Sequence, residues 1–214
     1  MSERTSARAT TPRRGSSGSS RARKSTAPAR ARTVYKGRLI TVRQVPVKRP
    51  DGQRSIFDIV LHPDAVAIVA VRYEPARERV AVPEPLIALV RVDRPAIGKQ
   101  CLEIPAGLVD AGERGHPEQT AARELREETG YVAGELTRLT CVYTSPGFTD
   151  EAITIYLAKG LEPAPGNPAP DATEIVGLQW MPLGEALNLV RDGTIDDSKS
   201  VLGLLLARHA LHLE

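Results

Sequence analysis

Residues 123–130 read RELREETG, three glutamates and two arginines in eight positions. An α-helix advances about 100° per residue, so Glu124, Glu127 and Glu128 fall within an arc of about 100° on one side. Like charges three and four residues apart destabilise a helix by roughly 0.2–0.5 kcal/mol per pair, and a helix made only for packing has little reason to gather them. The helix itself is well bounded. Pro117 suits a first turn, where its missing N–H costs nothing, and Gly130 supplies a C-terminal stop, which predicts a helix over 117–129. Ala121, Ala122, Leu125 and Thr129 form a modest apolar side next to the glutamate arc, so one stripe is expected to pack and the other to face a site.

Strands surround this helix. GRLITVRQVPVK, the turn former RPDG and QRSIFDIVLH predict an N-terminal hairpin over 34–61, ended by His62-Pro63. The apolar runs AVAIVAV (65–71) and LIALVRV (86–92) read as buried strands, with EPARER (74–79) as a solvated turn, and CLEIPAG (101–107) as a strand ending in a Pro-Ala-Gly turn. Beyond the helix, LTRLTCVYT (136–144) and AITIYLAKG (152–160) read as strands joined by the loop SPGFTDE (145–151). EPAPGNPAPD (162–171) reads as a surface loop and EIVGLQWMP (174–182) as a last strand, with closing helices over 183–193 and 197–213. Strands with one mid-chain helix and a helical end predict an α+β fold of packed layers.

Charge is unevenly spread over the 214 residues. Residues 1–32 hold nine Arg or Lys against one acid, a charge of +8, so the whole chain's +3 leaves residues 33–214 at −5. The basic segment is rich in Ser, Ala, Gly and Pro without apolar periodicity and reads as a disordered tail. It is a solvated arm, a non-specific nucleic-acid contact or an organelle transit peptide, and it lacks the apolar core of a secretory signal. The acidic remainder suits a site that gathers divalent cations. No apolar run approaches the roughly 18 residues that span a bilayer, so a soluble, cytoplasmic protein is expected. Cys101 and Cys141 are too few for a disulfide framework and are expected to be buried thiols in a reducing compartment. His62 and His116 sit in turns with no sequence cluster around them.

Gly107, five residues, Glu113, nine residues and RELREETGY resemble the Nudix box: Gly, five residues, Glu, seven residues, then Arg-Glu-aliphatic-any-Glu-Glu-any-Gly-aliphatic. The loop after Glu113 is two residues longer than that form, and Tyr131 stands at an aliphatic position. The resemblance implies a Nudix-type α/β/α sandwich of mixed sheet and helices over residues 63–214, with the β extension at 33–62 before it. It also implies a structural pairing of Glu113 with Arg123. Glu124 and Glu128 are the implied principal ligands of Mg²⁺, with Mn²⁺ as the substitute, helped by Glu127 and the Ala106 carbonyl. A cation among the carboxylates would replace repulsion by ligation.

HPDAVAIVAV, RVDRPAIGKQCLEIPAG, SPGFTDE and GTIDDSKSVLGLLL further resemble the ADP-ribose pyrophosphatase branch of that family, across about residues 35–210. The resemblance implies hydrolysis of ADP-ribose to AMP and ribose 5-phosphate by metal-activated water, with Glu151 and Glu127 as catalytic groups. Arg94 matches a diphosphate-contacting arginine, although VDR replaces the branch's usual Gln-aromatic-Arg, and Glu103 is a substrate or metal candidate. Alternatives are another nucleotide sugar or a dinucleotide, such as GDP-mannose or NADH, and a non-catalytic nucleotide sensor. By the same resemblance a homodimer is expected, with N-terminal strands exchanged.

Overall fold

The apolar run at 65–71 becomes the central strand. The computed structural model describes residues 31–73, 84–166 and 175–213. Strands β1 (Arg32–Lys36), β2 (Thr41–Lys48) and β3 (Arg54–Leu61) form a separate antiparallel sheet in that order. The main sheet uses β4 (Ala65–Tyr73), β5 (Pro85–Arg94), β6 (Lys99–Glu103) and β7 (Ala106–Leu108), then β8 (Tyr131–Tyr143), β9 (Ala152–Pro163) and β10 (Ile175–Pro182). Its order is β10-β5-β4-β9-β8, with β6 added on β5 and β7 on β4. Among the described strands of this sheet only β4 and β9 run parallel, so the sheet is mixed.

Helix α1 (Pro117–Thr129) lies on one face, and α2 (Leu183–Arg191) and α3 (Ser198–Ala210) pack on the other. Side chains alternate across a strand, and β4 shows the consequence. Val66, Ile68 and Ala70 pack with Ala121, Leu125 and Tyr156. Ala67, Val69 and Val71 pack with Leu183, Ala186, Leu204 and Ala207. A strand buried on both faces reads as a continuous apolar run, which is why 65–71 lacks a polar alternation. The result is the expected α/β/α sandwich. Where α3 crosses the sheet, Gly203 permits close approach: a Cβ there would stand 2.8 Å from Ile104 Cδ1 and 3.1 Å from Val69 Cγ2.

Helix α1 has its expected bounds, and Gly130 closes it with φ 73° while its N–H donates to the Arg126 carbonyl. That left-handed cap is what glycine alone adopts without cost. The packed stripe differs from expectation: Thr120, Ala121, Leu125 and Thr129 are buried, whereas Ala122 is exposed. Thr120 is retained inside because its hydroxyl has a carboxylate to bond.

Other expectations shift for local reasons. The N-terminal hairpin gains a third strand, β1, which begins at Arg32 inside the stretch read as tail. The segment 101–107 divides into β6 and β7 around Pro105, which has no N–H to give a ladder. Cys101 is buried, but Cys141 lies exposed on the edge strand β8. Tyr131, the box's non-aliphatic position, meets Trp180 edge-on with centroids 5.4 Å apart, and its hydroxyl accepts from Arg72 Nη1 at 3.3 Å. The tail up to residue 30, the turn at 74–79 and most of the 162–171 loop lie outside the described residues. Among the described residues no helix is long and apolar enough to cross a membrane.

Candidate active site

Arg123 organises the acidic ridge. Its Nη1 donates to Glu124 Oε1 at 2.7 Å and to Glu127 Oε2 at 2.9 Å, one turn away on α1. Its Nε and Nη2 donate to Glu113 Oε1 and Oε2, each at 3.2 Å, and Nη2 also reaches the Leu108 carbonyl at 3.4 Å. The longer loop after Glu113 therefore leaves the pairing intact, because the extra residues are absorbed before the helix starts. Thr120 Oγ1 donates to Glu113 Oε2 at 2.8 Å. Hydrogen bonds from Arg123 and Thr120 hold the Glu113 carboxyl below its usual range, and Glu113 in turn raises the Arg123 guanidinium.

Two ridge carboxylates turn onto β7. Glu128 Oε2 accepts from the Ala106 N–H at 3.0 Å. Glu124 lies over Gly107 so closely that a Cβ there would fall 2.0 Å from its Oε1 and 2.1 Å from its Cδ. The glycine of the box is thus a cradle for a carboxylate. The Glu124 side chain is only 12% exposed, and burial pushes its pKa up against the pull of Arg123.

An acidic oxygen set of this kind suits a hard divalent cation. Glu124, Glu128 and the adjacent β7 backbone would hold it, with Glu127, half-exposed, beside them. Among the described residues no three His, Cys, Asp or Glu side chains are already gathered at metal-binding distance. Arg123 takes part of the compensating role by bonding Glu124 and Glu127 itself.

Register puts the other candidate residues at the same end of the sheet. Ala65, at the start of β4, pairs with Leu108 of β7 on one side and Ile153 of β9 on the other. Glu151 lies two residues before Ile153, so its loop opens at the sheet end where the α1 ridge meets β7, across β4. Its Oε2 accepts from Thr144 Oγ1 at 2.7 Å, and its Oε1 lies 3.2 Å from His62 Nδ1. His62, which has no neighbours in sequence to mark it, thus has a carboxylate partner from 89 positions further along the chain. The parallel pairing of Ala65 with Ile153 and the contact between the end of β3 and the 145–151 loop, where the Val60 N–H donates to the Phe148 carbonyl at 2.7 Å, bring them together.

Arg94 and Glu103 bond each other, Nε to Oε1 at 2.8 Å and Nη2 to Oε2 at 2.6 Å. Lys199 at the start of α3 also binds Glu103 and reaches Asp197 Oδ1 at 2.8 Å. Burial pushes the Glu103 carboxyl up, but Arg94 and Lys199 outweigh it and leave it below its usual range. Glu103 is 1% exposed and already engaged by two cations, an arrangement that fixes Arg94 more readily than it offers a carboxylate to a ligand. The Arg94 side chain, by contrast, is 43% exposed.

The α/β/α sandwich thus brings a carboxylate ridge against a glycine-bearing strand, with a loop glutamate at the same sheet end. The NUDIX domain profile matches residues 62–202, and the chain belongs to that family. It is 38% identical over 171 residues to the methanol dehydrogenase activator of Bacillus methanolicus, covering 80% of this chain and 86% of that one. It is 37% identical over 171 residues to the ADP-ribose pyrophosphatase of Bacillus subtilis, with the same coverage of 80% and 86%. A solved structure titled as an ADP compounds hydrolase superposes with a TM-score of 0.70 at 26% identity, covering 86% of this chain and 92% of that one.

Proposed function

We propose that the protein hydrolyses ADP-ribose to AMP and ribose 5-phosphate, using Mg²⁺ held by Glu124, Glu128 and the Ala106 carbonyl, with Glu127 assisting. The observation that carries this reading is the meeting of Glu124 and Glu128 on Ala106–Gly107, where an ordinary side chain at position 107 would collide with the carboxylate. The names of two relatives, an ADP-ribose pyrophosphatase and an ADP compounds hydrolase, support the substrate. When bound, the cation polarises a phosphoryl oxygen and offsets the charge that builds on the diphosphate.

The protein's own groups supply the rest. Glu151 takes a proton from the attacking water as its oxygen bonds to phosphorus, and the bridging oxygen leaves with the other phosphate. Arg94, oriented by Glu103, presents its remaining guanidinium edge to the diphosphate. Arg123 keeps Glu124 and Glu127 apart from solvent-driven rotamers by tying both to Glu113.

The exposed apolar residues of the N-terminal sheet, Val34, Tyr35, Ile56 and Phe57, support a homodimer formed through that sheet. A cytoplasmic location fits a nucleotide substrate. Purified protein with Mg²⁺ and a panel of ADP-ribose, GDP-mannose and NADH tests the substrate, and labelled water shows which phosphorus is attacked. ADP-ribose left intact while GDP-mannose or NADH turned over would reject the reading. So would a Glu128→Gln variant with undiminished turnover in saturating Mg²⁺.

A further inference from the structure

We infer that His62 is a positioning residue that holds Glu151 in its reactive orientation; the inference rests on Glu151 acting as the base. The argument begins with the proton on the ring. His62 Nδ1 lies 2.7 Å from the Pro63 carbonyl and 3.2 Å from Glu151 Oε1. A carbonyl oxygen only accepts, so Nδ1 carries the hydrogen and donates it to Pro63, while Glu151 Oε1 rests against the same N–H edge of the ring. Thr144 Oγ1 donates to the other carboxylate oxygen at 2.7 Å. One oxygen of Glu151 is therefore hydrogen-bonded to Thr144 and the other lies against the polar edge of the His62 ring, two contacts that fix the carboxylate plane and leave lone pairs for a water proton.

The histidine is itself held. Its ring is 17% exposed, and its backbone N–H donates to Asp150 Oδ1 at 3.1 Å. Around it the loop is fastened to the end of β3: Val60 N–H to the Phe148 carbonyl at 2.7 Å, and Asp150 N–H to the Val60 carbonyl at 3.3 Å. The Ala152 N–H donates to Asp64 Oδ1 at 3.1 Å on the far side of Pro63. Residues 60–64 thus hold the backbone on both flanks of Glu151, and the His62 ring holds its side chain. A base on a Pro-Gly loop without such support would sample several rotamers, and a displacement near 1 Å costs about 100-fold in rate.

The test uses the full chain with ADP-ribose and Mg²⁺, comparing His62→Ala, His62→Asn and His62→Gln. The Asn amide nitrogen falls near the place of Nδ1, whereas the Gln amide falls near Nε2. His62→Ala and His62→Gln are expected to lose about tenfold or more in kcat with KM within about twofold, because the water and not the substrate loses its partner. His62→Asn is expected to recover most of that loss, at a thermal midpoint matched to His62→Gln. In a Glu151→Gln background, His62→Ala is expected to add no further loss. Wild-type kcat in His62→Ala beside an impaired Glu151→Gln would overturn the inference while sparing the base. Equal losses in the Asn and Gln variants, or additive losses in the double variant, would also overturn it. Wild-type turnover in Glu151→Gln would remove the base assignment and this inference together.

Discussion

Replacing Gly107 by alanine separates the chemistry of the ridge from the stability of the fold. The added Cβ would lie 2.0 Å from Glu124 Oε1, 2.1 Å from its Cδ and 2.5 Å from its Oε2. Ordinary contact needs about 3.5 Å, so the carboxylate must withdraw by about 1.5 Å. Every atom in that clash belongs to the end of a flexible side chain, and no left-handed φ is imposed at this glycine. The protein can therefore relieve the clash by turning Glu124 outward, and alanine also lowers the entropy of the unfolded chain. Stability is expected to change by less than about 1 kcal/mol, a shift of a few degrees at most in thermal midpoint. Activity is expected to fall about 100-fold, the scale set by misplacing a reacting or ligating group by 1 Å or more. Steady-state kinetics over a Mg²⁺ titration, beside a thermal melt, measures both quantities. The loss should persist at saturating substrate and be eased only in part by excess Mg²⁺. Wild-type kcat/KM in Gly107→Ala would refute the placement of Glu124 over β7. A melt lowered by ten degrees or more would show that Gly107 serves the backbone instead.

The opposite pattern is expected at Gly203. A Cβ there meets Ile104 Cδ1 at 2.8 Å and Val69 Cγ2 at 3.1 Å, both in the packed core. Gly203→Ala should destabilise by about 1–3 kcal/mol through overpacking, read by denaturant unfolding, with little change in turnover of the folded fraction. Glu103 gives a pH signature. Its folded pKa lies below the usual value, so its ion pairs contribute stability that is fully present above the unfolded pKa of about 4.3. That contribution is lost as pH falls through the lower folded value. The stability gap between wild type and Glu103→Gln should be constant near neutrality and close on acidification below about pH 4.3; a gap that widens in acid would contradict the Arg94 and Lys199 pairing.

What could be read from the chain was local. Pro117 and Gly130 bound α1 because each acts through its own backbone, and the spacing from Glu113 to Arg123 survived a longer loop because loop length is cheap to vary. The two-faced burial of β4 was legible in its unbroken apolar run. What escaped notice depended on neighbours distant in sequence. Ala122 and Thr120 exchange roles because Glu113 supplies the hydroxyl of Thr120 with a partner at 2.8 Å. Cys141 is exposed because β8 ends the sheet, a property of strand order and not of the residues around it. The pairing of Arg94 with Glu103 is not a cross-strand neighbour pair, because the β5–β6 register sets Arg94 against Lys99 and Glu103 against Val90. The long guanidinium side chain reaches back along the hairpin to a carboxylate that Lys199 of α3 also holds. His62 stood in a stretch that resembles the family but with no partner nearby in sequence, since Glu151 arrives through strand pairing and a loop contact 89 positions away.

The fastening of residues 145–151 to the end of β3 has a consequence for how such proteins diverge. The three-stranded sheet ends at Leu61, and the matched NUDIX region starts at residue 62, so that sheet lies before the matched region. Yet its last strand donates from Val60 to the loop carrying Glu151. With Glu151 in its proposed role, substitutions near the end of that N-terminal sheet are expected to alter the speed of hydrolysis while every residue of the acidic motif stays unchanged.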